Sequence, residues 1–67
     1  MILKDAIEKA KQQLDDPHYM PSLVAYMLLD YLNDRHPCFD LAWILGHDDN
    51  CHKNDVVGLI ELLERIG

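Results

Sequence analysis

Five side chains of the kinds that bind zinc fall between residues 36 and 52 of this chain. They are three histidines and two cysteines: His36, Cys38, His47, Cys51 and His52. A structural zinc site takes four nitrogen or sulfur ligands in a tetrahedron, usually from two closely spaced pairs. His36 with Cys38 is one such pair, and Cys51 with a neighbouring histidine would be the second. The spacing matches no familiar zinc module, and no cofactor is expected. A small zinc-stabilised module is therefore only an alternative interpretation of these residues.

The same segment holds residues from which a catalytic site could be built. Asp48 or Asp49 beside a histidine could act as general acid and base. Cys51 with His52 could act as nucleophile and base. Neighbours in sequence rarely face one another in space, however, and a 67-residue core leaves little apolar surface to wall a pocket. We therefore expect that the chain is not an enzyme.

Net charge is the most informative property of the sequence. Twelve acidic residues stand against six basic ones, which gives a formal net charge of -6. Residues 12–52 hold seven aspartates and only one cation, Arg35, so the whole imbalance lies in the middle of the chain. A field of this sign repels nucleic acid and anionic lipid and speeds encounter with basic surfaces. The expected partner is a basic protein surface, with no direct nucleic acid and no membrane.

Two aspartates and a tyrosine form the centre of the predicted binding surface. Asp30 and Asp34 fall one turn apart on the polar side of a predicted helix, and neither has a lysine one turn away. Like charges at this spacing cost a helix roughly a few tenths of a kcal/mol, so the arrangement does not serve stability. Tyr26 lies on the same arc and would add apolar contact. The full predicted partner-binding set is Tyr26, Asp30, Asp34, Asp40, Asp48 and Asp49.

A row of carboxylates on a helix could imitate nucleic acid. Residues four apart are separated by about 6 Å along the helix, comparable with the spacing of phosphates on a strand, and would suit cations placed to hold phosphates. The chain resembles a general class of mobile-element inhibitors, such as phage anti-CRISPR and anti-restriction proteins, in its small size, its acidity and its helical pattern. The resemblance implies an inhibitor or regulator that acts as a nucleic-acid mimic.

Two other interpretations of the same features stay open. The acidic surface could be a solvated face that only maintains solubility. The apolar segment around Phe39 and Trp43 has almost no polar side, so a structural or regulatory homodimer could bury it between subunits.

The elements that position these residues are predicted to be four helices in one all-α domain over residues 1–67. Apolar residues recur at the helical period, and the expected helices cover 2–15, 21–35, 37–45 and 55–66, the third being short. Pro17 and Pro37 limit the first two helices, since the residue before proline is pushed out of the α region. Gly46 suits the position just after a helix, Gly58 is a candidate for a close helix crossing, and Asn54 suits an N-cap.

The second predicted helix is the expected centre of the core, because its apolar arc covers about 200°. No run approaches the roughly 18 apolar residues of a membrane span. The first residues carry acids and lysines where a signal peptide needs an apolar segment. We expect a cytoplasmic protein in which Cys38 and Cys51 are thiols.

Overall fold

The computed structural model describes residues 2–66 of the chain. Four helices follow one another: α1 Leu3–Leu14, α2 Pro21–Leu29, α3 Phe39–Gly46 and α4 Lys53–Ile66. The predicted all-α four-helix fold is confirmed, and the described residues form no strand. The Cα radius of gyration is 10.5 Å, close to the value of about 11 Å expected of a compact domain of this length. None of the helices within residues 2–66 has the length and apolarity needed to cross a bilayer.

Helices α1 and α4 each bury one apolar face and expose a charged one. The buried face of α1 includes Ala6 and Ala10, whose small side chains are fully covered and allow close packing. The buried residues of α4 are Val56, Leu59, Ile60 and Leu63. The predicted N-cap, Asn54, lies inside α4, because the backbone N–H of His52 donates to the Asp55 carboxylate at 3.1 Å. This contact is one of the two hydrogen bonds of a capping box, and α4 begins at Lys53.

Helix α2 is the centre of the core, as predicted, but it is shorter than expected. Val24, Ala25 and Leu28 are fully buried, and α2 contacts each of the other three helices. The prediction of helix through residue 35 is wrong, because α2 ends at Leu29. Residues 30–32 bond to carbonyls only three residues back, and Asn33 Oδ1 accepts the N–H of Arg35 at 2.9 Å. Such local side-chain bonds compete with helical ones and favour turns.

Helix α3 crosses α2 closely at Gly46. A Cβ on Gly46 would lie 3.1 Å from both the Cα and the N of Tyr26. Gly46 is the last residue of α3, and no glycine of the described chain has a positive φ, so its assignment to a position beyond the helix is wrong. A Cβ on Gly58 would meet no atom within 4 Å. The close crossing predicted at Gly58 therefore lies at Gly46.

Candidate functional site

The predicted zinc ligands are not gathered into one cluster in the structure. Cys38 and Cys51 are buried free thiols, whereas His47 and His52 are exposed. His36 Nδ1 accepts the backbone N–H of Cys38 at 3.1 Å. Across residues 2–66, no three side chains of histidine, cysteine, aspartate or glutamate are placed to hold a metal ion. The geometry gives no support to the zinc-stabilised alternative.

The Cys51 thiol has the properties of a structural cysteine. Burial raises its pKa, and the charges of Asp55 and Asp48 raise it further. A thiol with a raised pKa stays protonated near neutral pH and is a poor nucleophile. Its Sγ donates to the backbone carbonyl of His52 at 3.6 Å. These contacts give no support to a nucleophile and base made from Cys51 and His52.

Two members of the predicted binding set, Tyr26 and Asp30, share one face of α2. Asp30 is the C-cap of α2 and keeps helical backbone angles, with φ -64° and ψ -18°. Residues four apart in helical geometry are neighbours on the surface, and both side chains are exposed. Asp34 is also exposed, but it lies in the turns that follow the helix. The predicted one-turn spacing of Asp30 and Asp34 on a helix is therefore wrong.

The other three aspartates of the set stand at the two ends of α3. Asp40 is in the first turn of the helix, and Asp48 and Asp49 follow its last residue. Eight helical residues span about 12 Å, so the two groups of carboxylates are separated by the length of α3. Asp48 Oδ1 accepts the N–H of Asn50 at 2.9 Å in a local turn, while Asp40 and Asp49 are exposed.

None of these five aspartates has an ion-pair partner within the described chain. The ion pairs of residues 2–66 lie on α1, on α4 and in the connection between α1 and α2. They join Lys11 to Glu64 at 3.0 Å, Lys53 to Asp15 at 3.5 Å and His18 to Asp16 at 3.0 Å. Within residues 2–66, the carboxylates around α2 and α3 are therefore not paired with a cation of the chain.

Three aromatic rings cluster beside the crossing of α2 and α3. The ring centroids of Trp43 and His47 lie 4.2 Å apart with an interplanar angle of 22°, a stacked arrangement. The Tyr26 ring lies 5.4 Å from His47 at 53°. His47 Nδ1 lies 2.8 Å from the carbonyl oxygen of Trp43, so it donates to a carbonyl of the last helical turn. This bond fixes the imidazole against the indole.

The aromatic cluster is exposed although most of it is apolar. Trp43 is 49% exposed and Tyr26 is 48% exposed. Leu23, one turn before Tyr26, and Ile44, next to Trp43, are both more than half exposed. Exposed apolar side chains that are contiguous and rimmed by polar residues mark interaction surfaces. The aromatic patch consists of Leu23, Tyr26, Trp43, Ile44 and His47.

Comparison with protein-family models, curated proteins and solved structures finds no match to this chain. The features of this chain that bear on its function are therefore its charges and its aromatic patch. Both features lie on α2, on α3 and on the segments next to them.

Sequence reasoning missed most of the aromatic patch. It expected the helix that carries Trp43 and Ile44 to be buried on most sides, either inside the fold or against a second copy; within residues 2–66 both side chains are about half exposed. The available signal was that α3 is apolar on almost every side in a chain too short to bury a whole helix. A second signal was the spacing of Trp43 and His47, which puts two rings on one helical face.

An open groove of about 570 Å³ lies between the start of α1 and the end of α4. It contains none of the predicted binding residues. The groove is lined by Ile2, Leu3, Lys4, Ile7, Glu8, Leu63 and Glu64. Its charged residues include both signs, so the groove has no marked preference for a charged ligand.

Proposed function

We propose that this chain is a small acidic interaction module, an inhibitor or regulator, that docks on a basic surface of a partner protein. The docking surface, called the α2–α3 face, consists of the aromatic patch and the five aspartates Asp30, Asp34, Asp40, Asp48 and Asp49. One observation carries the proposal: the five aspartates on and beside these helices have no ion pair within residues 2–66. Arg35 is the one cation between residues 12 and 52. A basic partner supplies the cations that the chain lacks there.

The aromatic patch gives this face the composition of a binding surface. Protein interfaces combine a centre rich in tyrosine, tryptophan and other apolar side chains with a polar rim. Here Tyr26 and Trp43 supply the aromatic area. Asp30 lies on the same face of α2 as Tyr26, and Asp40 lies on the same face of α3 as Trp43. Rim carboxylates speed encounter with a basic surface, and desolvated aromatic contacts slow dissociation.

In the most specific form of this proposal, the protein is a cytoplasmic inhibitor of the anti-CRISPR or anti-restriction type. The partner surface that it occupies is then one that binds nucleic acid. Lysines and arginines that hold phosphates are positioned to accept other anions. The carboxylates at the two ends of α3 would meet two groups of such cations about 12 Å apart. Competition between this protein and nucleic acid for the partner follows from this arrangement.

The test compares two sets of substitutions that change net charge equally. The first variant carries Asp30→Asn, Asp40→Asn and Asp49→Asn, which remove three of the five carboxylate charges of the α2–α3 face. The control variant carries Asp5→Asn, Glu8→Gln and Glu61→Gln, at positions exposed on α1 and α4. Binding is measured by fluorescence anisotropy against purified nucleic-acid-binding proteins, at low and high salt and with competing duplex DNA. We expect the first variant to lose about tenfold in affinity, from three rim pairs of roughly 0.5 kcal/mol each, and binding to weaken with salt. Equal losses in the two variants, or binding unaffected by salt, would contradict the proposal.

The exposure of Trp43 and Ile44 favours a second candidate, a homodimer that buries the aromatic patch between two copies. The two candidates respond to salt in opposite directions. Each copy carries a net charge of -6, so screening reduces the repulsion between copies and strengthens a dimer, whereas it weakens docking on a basic partner. Sedimentation at low and high salt distinguishes them.

A further inference from the structure

We propose that the partner anchors on this chain through an arginine whose guanidinium stacks on Trp43 and donates hydrogen bonds to Asp40. The inference rests on the proposed function and adds the chemistry of the partner residue. The supporting observation is the geometry of α3, where the half-exposed indole of Trp43 and the exposed carboxylate of Asp40 lie one turn apart.

The indole is held in place with one face covered. His47 stacks against it at 4.2 Å, and the bond from His47 Nδ1 to the Trp43 carbonyl oxygen fixes that stack. Since Trp43 remains 49% exposed, the area open to a partner is the part of the ring away from His47. A tryptophan face attracts cations more strongly than the other aromatic rings do. A ring already held in position loses little conformational entropy when the partner binds.

Asp40 makes arginine a better occupant than lysine. It precedes Trp43 by three residues on α3, so the two side chains are surface neighbours. A guanidinium is planar and weakly hydrated, and it stacks on an aromatic ring while its edge donates to a carboxylate. An ammonium is a compact, strongly hydrated point charge and does not combine the two contacts in this way.

Charge complementarity favours this occupant over a second copy of the chain. A second copy would bring its own five aspartates to the interface, with Arg35 as the one cation of that region. A purely apolar occupant would remove water from Asp40 and supply no hydrogen-bond donor, which is costly. A basic, arginine-bearing surface satisfies both the ring and the carboxylate.

The experiment uses two synthetic probes, an alternating alanine–arginine peptide and an alanine–lysine peptide of equal length and charge. Trp43 is the single tryptophan of the chain, so its fluorescence reports occupancy directly, and anisotropy of labelled peptide serves for the variants. We expect the arginine peptide to bind about threefold more tightly per stacked contact and to change the emission of Trp43. Asp40→Asn should reduce this preference, whereas Asp49→Asn should weaken both peptides equally.

The variant that removes the ring is Trp43→Leu, with Tyr19→Leu as the matched control. Tyr19 is an exposed aromatic residue in the α1–α2 connection, outside the patch. Trp43→Leu should abolish the preference for arginine, and Tyr19→Leu should keep it; if Trp43→Leu does not fold by circular dichroism, Trp43→Phe should show a reduced preference.

Three other outcomes would contradict the arginine anchor, and one of them would also contradict the acidic docking proposal. Equal, salt-sensitive binding of both peptides to the wild-type protein would overturn the arginine anchor and leave the acidic docking proposal standing. Absence of binding by either peptide at low salt would overturn both. A dimer in sedimentation that excludes both peptides would show that a second copy covers the patch, and would overturn the anchor as well.

Discussion

Helices α1 and α4 keep most of their apolar and charged residues on opposite sides, whereas α2 and α3 expose leucine, isoleucine and aromatic side chains next to aspartates without ion pairs. The pair Lys11–Glu64 joins α1 to α4, and Lys53 of α4 reaches Asp15 at the end of α1. The α2–α3 face has no equivalent pair within the described residues. α4 departs from the pattern near its end, where Leu62 and Ile66 are exposed.

The two pairs of helices differ in how far their exposed surfaces contribute to stability. A surface under selection for stability alone would bury its indole and place lysines beside its carboxylates, and α1 and α4 approach that state. The α2–α3 face keeps features that do not stabilise the chain, which is typical of surfaces retained for function. Substitutions at matched positions in the two halves should therefore have opposite effects on the free energy of unfolding.

The largest contrast is expected from the same substitution at two helical glycines. Gly46→Ala should destabilise the chain by about 1 to 3 kcal/mol, because its Cβ would press on the Tyr26 backbone at 3.1 Å and must force two packed helices apart. Gly58→Ala should stabilise it by about 1 kcal/mol, since alanine is the better helix former and the added Cβ has space. Urea unfolding followed by circular dichroism measures both.

The outcome at Gly46 also bears on the aromatic patch. A shift of α3 against α2 would move His47 relative to Tyr26, so Gly46→Ala should weaken docking while Gly58→Ala leaves it unchanged. A Gly46→Ala protein as stable as Gly58→Ala would mean that the crossing relaxes without loss, and the close packing of α2 on α3 would not be a constraint.

The positions of the four helices were predictable because they follow from the apolar period and from the prolines. The end of α2 was not. Tyr31 and Leu32 continue the apolar pattern and still pack on the core, with Leu32 buried, although the backbone has left the helix at Leu29. The period of apolar residues predicts which side chains are buried, but it does not predict which backbone hydrogen bonds form.

The aromatic patch and the crossing glycine depend on tertiary structure. Gly46 and Gly58 both lie in helical stretches, and only the path of α2 decides which of them meets another backbone. Likewise, the spacing of Trp43 and His47 predicts that the rings share a face, but their exposure depends on which helix covers α3. The acidic character of the middle of the chain needs no such information and was predictable from composition.

A smaller contrast is expected from one substitution at two helix ends. Asp55→Asn should destabilise the chain by about 0.5 kcal/mol, because it removes a charge at the N-terminal end of the α4 dipole and weakens the bond to the His52 N–H. Asp30→Asn should stabilise it by about 0.5 kcal/mol, since a carboxylate at the C-terminal end of α2 opposes the dipole. Thermal unfolding at low ionic strength measures both shifts. If both substitutions destabilise the chain, Asp30 has a stabilising contact; if both stabilise it, the bond between Asp55 and the His52 N–H contributes nothing. Either result would contradict the contrast between the two helix ends.

The smallest effect is expected at the ion pair between α1 and α4. The hydrogen bond to Glu64 raises the pKa of Lys11; burial opposes this effect, and the charges of Glu64 and Glu8 add to it. A raised pKa in the folded state means that the pair contributes its full stability below the pKa of the unfolded lysine and loses it as pH rises through the folded value. Glu64→Gln should therefore lower the free energy of unfolding at neutral pH. The effect should be slight, because the side chains of Lys11 and Glu64 are nearly half exposed, and the difference from wild type should close in alkaline solution.

Glu61→Gln is the matched control for this measurement, since Glu61 is exposed on the same helix and forms no ion pair within residues 2–66. Its difference from wild type should stay constant over the same alkaline range in urea unfolding. The informative quantity is the difference between the proteins at each pH, because contributions that all three proteins share cancel in that difference. A Glu64→Gln difference that persists above the pKa of Lys11 would assign the effect to lost side-chain packing. In that case α1 and α4 would be held together by their apolar faces alone, and charge pairing would no longer distinguish this half of the molecule from α2 and α3.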